Sequence, residues 1–293
     1  MKQLVIVSGK GGTGKTSVTA ALAGLGPQKV LADCDVDAAD LHIVLHPDIV
    51  DAQEFVSGET PVLDPEVCIQ CGQCIEHCRF DAISDDFRIL KEHCEGCGAC
   101  AFICPEQAIT MAPRTCGMQY LSKTRFGTMA HAELGVGEEN SGKLVTSVRN
   151  AACSAAEKEG AELVLVDGSP GVGCPVIASL TGADACLIVT EPTKSALHDM
   201  RRILELTRRF GISSMALINK AGVYEAAERE IRDFCESQGV AVVGELSYSP
   251  VVTQAQIHGQ TILERDPEGL GRTIRDVWSR IESRLFPTTQ PSN

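Results

Sequence analysis

The feature that most constrains the fold of this chain is a glycine-rich loop near its beginning, enclosed by two segments of different periodicity. Leu4–Val7 is a short, continuous apolar run, which is typical of a buried strand. The loop Gly9–Thr16 follows it, and its sequence fits the pattern G-x-x-x-x-G-K-[ST]. After the loop, Val18, Ala21 and Leu22 recur at helical spacing. The sequence therefore predicts a strand, a turn of glycines and a helix in immediate succession.

A loop of this pattern holds a chain of phosphates in the proteins that use it. Its glycines let backbone N–H groups turn inward, and the N-terminus of the following helix adds its positive end. In this pattern Lys15 neutralises the β- and γ-phosphates, while the hydroxyl group of Thr16 ligates Mg²⁺. The alternative is a glycine-rich turn without a ligand. The predicted nucleotide-binding residues of the loop are Gly9, Gly11, Gly12, Thr13, Gly14, Lys15, Thr16 and Ser17.

Farther along the chain, apolar runs alternate with segments of helical periodicity. The strand candidates are Val30–Ala32, Leu163–Val166, Cys186–Val189, Met215–Ile218 and Val240–Val243. Ala196–Phe210, Ala226–Gln238 and Leu270–Leu285 have helical spacing of their apolar residues. This alternation predicts an α/β fold with a doubly wound, mostly parallel sheet. Thr115–Lys143 is rich in glycine and predicts no clear element.

The stretch Pro61–Pro113 breaks this alternation and contains eight of the 14 cysteines. The first four cysteines have the spacing C-x₂-C-x₂-C-x₃-C, and the last four repeat that spacing 26 residues later. Gly72 matches Gly98 at the same offset, so a whole unit is duplicated. We predict that residues 61–112 form a small inserted domain, and that 1–60 and 113–293 form the larger domain.

The cysteine spacing resembles that of bacterial two-cluster ferredoxins. This resemblance implies a ferredoxin-like α+β insert with two [4Fe–4S] clusters. It implies Cys68, Cys71, Cys74 and Cys104 as the ligands of one cluster, and Cys94, Cys97, Cys100 and Cys78 as the ligands of the other. Arg79 stands where these ferredoxins usually have proline, which could alter the geometry or the potential of the first half. Zinc is the alternative, because paired C-x₂-C units also form tetrahedral zinc sites.

Lys10, the second residue of the glycine-rich loop, narrows the choice of family. A lysine there resembles the deviant Walker A motif of the MinD/ParA/Mrp/nitrogenase-iron-protein ATPases. The resemblance implies that ATP is bound and that Lys10 reaches the nucleotide of a partner subunit, where its positive charge assists phosphoryl transfer. It also implies catalytic roles for Lys15 and for Asp35, which would orient the attacking water. The alternative for Lys10 is a solvated loop residue.

Three later positions agree with the same family. Asp167 and the Gly-Ser-Pro-Gly segment after it resemble the switch II loop, which implies that Asp167 lies near Mg²⁺ with Thr16 and that Gly171 senses the γ-phosphate. Asn219 follows a predicted strand, where this family reads the purine edge; an asparagine that merely ends the strand is the alternative. Cys174 is either a buried thiol or, as the nitrogenase iron protein suggests, a ligand of a third cluster between subunits.

Charge and composition limit the partners that we expect. The net charge of −13 disfavours nucleic acid and anionic membranes as partners. The sequence has no secretory signal and no apolar run of 18 residues, so we expect a cytoplasmic protein. In a reducing compartment, cysteines are more often metal ligands than disulfides.

The combined motifs resemble the MinD-superfamily ATPases that contain an inserted ferredoxin domain. That resemblance implies slow ATP hydrolysis in a homodimer, or in a heterodimer with a paralogue, coupled to electron transfer to a redox partner protein. One alternative is an Mrp-type carrier that hands a cluster to an apo iron–sulfur target, although no C-x-x-C pair exists outside the insert. Another is a MinD/ParA-like positioning switch whose clusters are structural.

Overall fold

The computed structural model describes residues 1–135, 138 and 141–287, which divide into two compact units. The first unit comprises Met1–Ala52, Gln119–Glu133 and the described residues of Ser141–Asn293. The second unit comprises Gln53–Met118 and the described residues of Leu134–Asn140. The predicted insert, 61–112, lies inside the second unit together with all eight cysteines of the duplicated motif.

The strands of the described residues form one sheet. They are β1 (Lys2–Ser8), β2 (Lys29–Asp33), β3 (Asp48–Leu63), β4 (Ile109–Thr124), β5 (Gly127–Leu134), β6 (Leu163–Pro170), β7 (Ala185–Thr190), β8 (Ser213–Ala221) and β9 (Ala241–Ser247). Their order in the sheet is β3-β4-β5-β2-β6-β1-β7-β8-β9. From β5 to β9 in this order, every neighbouring pair is parallel. The prediction of an α/β fold with a mostly parallel sheet is therefore confirmed.

The helices connect these strands and flank the sheet. They are α1 (Lys15–Ala23), α2 (Leu41–Leu45), α3 (Gln73–His77), α4 (Ala99–Ile103), α5 (Ser141–Glu159), α6 (Cys174–Leu180), α7 (Lys194–Arg209), α8 (Glu225–Ser237), α9 (Pro250–Ile257), α10 (Ile262–Arg265) and α11 (Leu270–Leu285). Only α3 and α4 belong to the second unit among the described residues. Within those residues, no helix has the length and apolar character needed to cross a membrane.

The parallel arrangement of the first unit determines where its polar residues meet. Leu4–Val7 in β1 is fully buried, as is expected of a strand covered on both faces. Asp33 at the end of β2 is paired in register with Asp167 in β6, and β6 is also the neighbour of β1. Because the carboxyl ends of parallel strands meet at one edge, this edge gathers the acids and the loop Gly9–Thr16.

The two units differ greatly in the size of their apolar cores. In the first unit, a continuous cluster joins β1, α1 and α11, and it includes Trp278, which is 5% exposed. In the second unit, the buried core cluster consists of Cys74, Ile83 and Ile109. The two isoleucines are matched positions of the duplicated sequence. A core this small needs a further source of stability, such as a bound metal centre.

Among the described residues, β3, β4 and β5 are the strands that sequence analysis did not predict, and α2, α5, α6, α9 and α10 are helices that it did not predict. Most residues of β3 are exposed, so its sequence lacks the alternation of buried and exposed side chains that identifies a strand. Much of Thr115–Lys143, where no clear element was predicted, lies in β4 and β5. β3 and β4 were missed because a hydrophobic pattern cannot report a strand that buries few side chains. β5 buries Thr128–Ala132, but threonine, histidine and alanine in this run hide it from a search for apolar residues.

A glycine against the only tryptophan of the chain gives a test of this core. Gly26 has φ +78°, and a Cβ there would lie 2.1 Å from Trp278 Cζ2. Gly182 has a similar φ, +79°, but open space around it. We expect Gly182→Ala to lose about 1 kcal/mol of unfolding free energy through its backbone alone. Gly26→Ala should lose a further 1–3 kcal/mol, roughly, because the core is overpacked.

Urea unfolding of the two variants, followed by Trp278 fluorescence, measures this difference. Equal losses in both variants would contradict the close packing of Gly26 against the tryptophan.

Candidate functional site

The glycine-rich loop joins β1 to α1 as the sequence predicts. Gly14 immediately precedes α1 with φ +89°, a conformation that favours glycine. A Cβ at Gly14 would also lie 2.2 Å from Nδ2 of Asn219. This amide group donates a hydrogen bond of 2.7 Å to the carbonyl oxygen of Thr13. Asn219 in β8, two strands from β1 in the sheet, therefore supports the loop, and glycine is the residue that fits between them.

A buried ion pair lies beneath the loop. The Lys15 ammonium group lies 3.0 Å from Asp167 Oδ1 and 3.3 Å from Asp35 Oδ2, and the Lys15 side chain is only 5% exposed. Asp167 is fully buried and also accepts hydrogen bonds of 2.8 Å from the hydroxyl groups of Thr16 and Thr19. Burial alone would lower the pKa of Lys15, but Asp167 and Asp35 raise it above its ordinary value. Lys15 is therefore held as a cation.

Asp33 adds a third carboxyl group to this edge of the sheet. It is buried and accepts backbone hydrogen bonds from Asp35 N at 3.2 Å and Leu41 N at 3.3 Å. Burial and the negative charge of Asp167 raise the pKa of Asp33, and burial likewise raises the pKa of Asp35. The site thus contains more carboxyl groups than cations, which favours the uptake of a further cation such as Mg²⁺.

Lys10 makes its contacts within its own chain. Its ammonium group donates a hydrogen bond of 2.7 Å to Ser195 Oγ and lies 3.6 Å from Glu191 Oε1. The other carboxylate oxygen of Glu191 lies 2.7 Å from Nζ of Lys220, which also donates to the carbonyl oxygen of Gly12. The Lys10 side chain is 41% exposed and is held by weak, solvent-accessible contacts.

The predicted switch II segment packs against the start of the loop. The backbone N–H of Gly171 donates to the carbonyl oxygen of Ser8 at 2.8 Å, and Gly171 has φ +89°. The hydroxyl group of Ser169 donates to the carbonyl oxygen of Cys34 at 2.6 Å. Cys34 lies between Asp33 and Asp35, so the loop that follows β2 is bonded directly to the last residues of β6.

An open cleft of about 1060 Å³ lies over the loop in the first unit. Its lining includes the predicted residues Gly11, Gly12, Thr13, Gly14, Lys15, Thr16, Ser17, Asp35 and Asn219. Gly9, Lys10, Asp167 and Gly171 are not in this lining. Sequence analysis missed Tyr248, Ser249 and Gln256, which line the cleft from the chain after β9. The one sequence feature that could have indicated them is that they follow a predicted strand, because parallel sheets bind ligands at the carboxyl ends of their strands.

The second unit contains two cavities lined by cysteines. One, of about 340 Å³, is lined by Cys68, Cys71, Cys74 and Cys104. The other, of about 360 Å³, is lined by Cys78, Cys94, Cys97 and Cys100. In each cavity, three cysteines come from one motif and the fourth comes from the other motif. The structure thus brings together the same two groups of four that the ferredoxin resemblance implied.

The two halves of this unit also have equivalent backbones. Gly72 before α3 has φ +79°, and Gly98 before α4 has φ +74°. The thiol sulfur of Cys78 accepts a hydrogen bond from Ala82 N, and the sulfur of Cys104 accepts one from Ala108 N. Among the described residues, no three Cys, His, Asp or Glu side chains converge closely enough to hold a single metal ion.

The remaining cysteines lie outside both cavities. Cys186 and Cys235 are fully buried, as expected for small core residues, and burial raises the pKa of both thiols. Cys116 is also buried, with its sulfur 3.1 Å from the carbonyl oxygen of Ser57. The expectation of a buried thiol at Cys174 was wrong, because this residue begins α6 in an exposed position.

Comparison with known families identifies the larger part of the chain. A family model described as the CobQ/CobB/MinD/ParA nucleotide binding domain (CbiA) matches residues 4–262. The chain belongs to this family of nucleotide-binding domains. A solved structure of the septum site-determining protein MinD from Pyrococcus horikoshii OT3, complexed with Mg-ADP, has a TM-score of 0.59. The match covers 97% of this chain and 96% of that one, at 18% identity, and it shows a shared fold.

Proteins of similar sequence match both the larger part of this MinD/ParA-type chain and its cysteine-rich part. The uncharacterized protein MJ0578 of Methanocaldococcus jannaschii is 39% identical over 226 residues, which are 75% of this chain and 79% of the relative. The pyruvate synthase subunit PorD of Thermotoga maritima is 40% identical over 72 residues, 22% of this chain and 73% of that subunit. A ferredoxin of Pyrobaculum islandicum is 33% identical over 63 residues, 20% of this chain and 59% of the ferredoxin. The chain thus contains a cysteine-rich, ferredoxin-like segment.

The buried ion pair predicts a measurable dependence of stability on Lys15. Lys15→Met leaves the fully buried Asp167 without its cation, so we expect a loss of about 3 kcal/mol in the unfolding free energy of the nucleotide-free protein. The double variant Lys15→Met/Asp167→Asn removes that buried charge and should recover most of the loss. The loss in the single variant should also shrink as the pH falls, because Asp33 and Asp35, whose pKa values burial raises, become neutral and no longer need the Lys15 cation.

Urea unfolding followed by Trp278 fluorescence compares the three proteins. A double variant that is less stable than Lys15→Met would contradict this account of the ion pair.

Proposed function

We propose that this protein is an iron–sulfur ATPase, in which ATP-dependent dimer closure is coupled to electron transfer through two [4Fe–4S] clusters. One observation carries the proposal: a single chain has a nucleotide cleft over a Walker-type loop and two cavities that each collect four cysteines. Membership of a nucleotide-binding family supports the first site. The similarity to PorD and to a ferredoxin supports the second.

The loop residues bind the phosphates of ATP. On binding, Lys15 exchanges its carboxylate partners for phosphate oxygens. Its ammonium group pairs with Asp167 and Asp35 in the structure, and it turns to the β- and γ-phosphates when ATP enters the cleft. Thr16 and Asp167 are already bonded to each other at 2.8 Å, and their oxygens are suitable ligands for Mg²⁺. Asp35, once released by Lys15, orients the attacking water.

Lys10 acts on the nucleotide of the partner subunit. Its contacts with Ser195 and Glu191 are exposed, so they are exchanged at little cost for a phosphate oxygen. A lysine delivered in this way neutralises charge as it develops on the transferring phosphoryl group, as an arginine finger does. The partner is a second copy or a paralogue.

The cysteine cavities fit iron–sulfur clusters better than zinc. Four sulfurs at about 2.3 Å from one zinc ion must lie close together, whereas no three Cys, His, Asp or Glu side chains among the described residues converge closely enough to hold a single metal ion. The two sets of thiolates therefore hold one [4Fe–4S] cluster each. When bound, the clusters supply one-electron storage and transfer. Cys78 and Cys104 each tie their own motif to the other cavity, which stabilises a unit with a very small core.

The chain order connects the nucleotide site to the clusters. Asp35 and α2 follow β2, and β3 then leads directly into the second unit and to Cys68. A change at Asp35 on ATP binding is thus transmitted along a short covalent path. The electron donor and acceptor are separate redox proteins.

The first test of this proposal is the metal content of anaerobically purified protein. We expect about eight iron and about eight acid-labile sulfide per chain, falling to about half in Cys78→Ala. The EPR signal left in reduced Cys78→Ala should match that of Cys94→Ala and differ from that of Cys74→Ala, because Cys78 serves the cavity of the second motif. Cys116→Ala, outside both cavities, is the matched control and should keep its full content. Zinc without sulfide would refute the proposal.

A second prediction concerns which subunit of the dimer supplies Lys10 to each catalytic centre. Lys10→Ala should bind ATP normally but hydrolyse it about 10³-fold more slowly. Asp35→Ala should also be inactive, yet an equal mixture of the two should regain about a quarter of the wild-type rate, because half of the dimers are mixed and each has one complete centre. Steady-state phosphate release measures this. A mixture as inactive as its components would show that Lys10 does not act across a homodimer.

A further inference from the structure

Two arginines occupy equivalent positions in the duplicated sequence but make different contacts. Arg88 and Arg114 are separated by 26 residues, the same offset that relates the two cysteine motifs. The side chain of Arg88 is 80% exposed and pairs with the exposed Asp86 at 2.8 Å. The side chain of Arg114 is only 18% exposed. The arginine of the second repeat is therefore largely buried, whereas the equivalent arginine of the first repeat is exposed to solvent.

Arg114 is bonded to the backbone of a cysteine that lines the second cavity. Its Nη1 donates to the carbonyl oxygen of Cys94 at 2.6 Å, and its Nη2 donates to the carbonyl oxygen of Lys91 at 3.5 Å. Nε and Nη2 also donate to Glu138 Oε1 at 3.1 and 2.9 Å. The carboxylate of Glu138 is 17% exposed. A charged guanidinium group is therefore fixed between the Cys94 loop and one carboxylate.

The guanidinium group of Arg114 keeps its positive charge. Its hydrogen bond with Glu138 raises the pKa of Arg114 further, and the thiols of Cys116 and Cys94 contribute in the same direction. At low exposure, such a charge is poorly screened by solvent. A positive charge close to a redox centre favours the form that has gained an electron, so it raises the reduction potential.

The first repeat has the opposite charge near its leading cysteine. Asp64 precedes Cys68 by four residues, and its carbonyl oxygen accepts a hydrogen bond from Cys68 N at 3.1 Å. The equivalent residue before Cys94 is Leu90, which is uncharged. Each cavity also has one glutamate in its lining, Glu106 in the first and Glu95 in the second. The inward position of Arg114 is thus the difference in charge on which the inference rests.

We propose that Arg114 raises the reduction potential of the cluster in the Cys94 cavity above that of the cluster in the Cys68 cavity. This inference rests on the proposed iron–sulfur function. Arg114 acts through the Cys94 loop and touches no reacting atom, so it is a positioning residue. As a consequence, the first electron that the chain takes up resides in the cluster of the Cys94 cavity.

Three single variants of the full-length protein test the inference by anaerobic redox titration with EPR detection. Arg114→Gln should lower the equilibrium constant for reduction at the Cys94 cavity about tenfold, or about 59 mV for a one-electron couple. Glu138→Gln should shift the same potential upward, because it removes the counter-charge of Arg114. Arg88→Gln, the matched control from the first repeat, should leave both potentials unchanged. The cluster of the Cys68 cavity should respond to none of them.

The opposite signs separate a charge effect from a structural one. If Arg114 and Glu138 only brace the loop, both variants loosen it and shift the potential in the same direction, which overturns the inference. Unchanged potentials in iron-loaded variants overturn it as well. Should Arg114→Gln lose its cluster, Glu138→Gln and the charge-conserving Arg114→Lys carry the test. A wild-type protein without iron and sulfide would instead refute the proposed function itself.

Discussion

A single buried cation, the ammonium group of Lys15, balances the carboxyl groups that the ends of β2 and β6 bring together. Asp167 and Asp35 lie within 3.3 Å of it, and Asp33 is buried at the same edge. Two acids without this cation would face each other in a region of low exposure. In the structure the carboxylates thus hold Lys15 beneath an open cleft, and in the proposed function a phosphate chain with Mg²⁺ replaces them as the partner of Lys15. In the proposed function, ATP binding therefore releases Asp35 from Lys15.

The second unit depends on a different kind of interaction. Its apolar core is too small to account for a stable fold, and its two motifs exchange one cysteine each. Such an exchange means that neither motif can complete its own cavity, so the two halves fold as one. A unit built in this way is sensitive to the loss of any ligand cysteine. In the inference above, Arg114 and Glu138 act on the Cys94 cavity through the loop that contains Cys94.

Most residues that line both sites could be predicted because short sequence distances bring them together. Lys15 and Thr16 are part of one loop, and Asp167 ends a strand that must be parallel to β1. Tyr248 and Gln256 could not be predicted, because they follow β9 without a motif of their own. Arg114 lies 20 residues from Cys94. Its signal was the repeat offset that it shares with Arg88, and sequence alone did not show which of the two turns inward. The predicted boundaries of the insert, 61–112, stay a prediction.

In the proposed function the two sites of one chain respond to each other, and one anaerobic measurement tests this most directly. The rate of ATP hydrolysis and the absorbance of the clusters are followed together, with and without a chemical reductant, in wild-type protein and in Lys15→Met. The account predicts that reduction changes the ATPase rate and that Mg·ATP changes the extent of cluster reduction, in the wild-type protein alone. If both sites are occupied and neither the ATPase rate nor the extent of cluster reduction changes under any of the four conditions, the proposed coupling is contradicted.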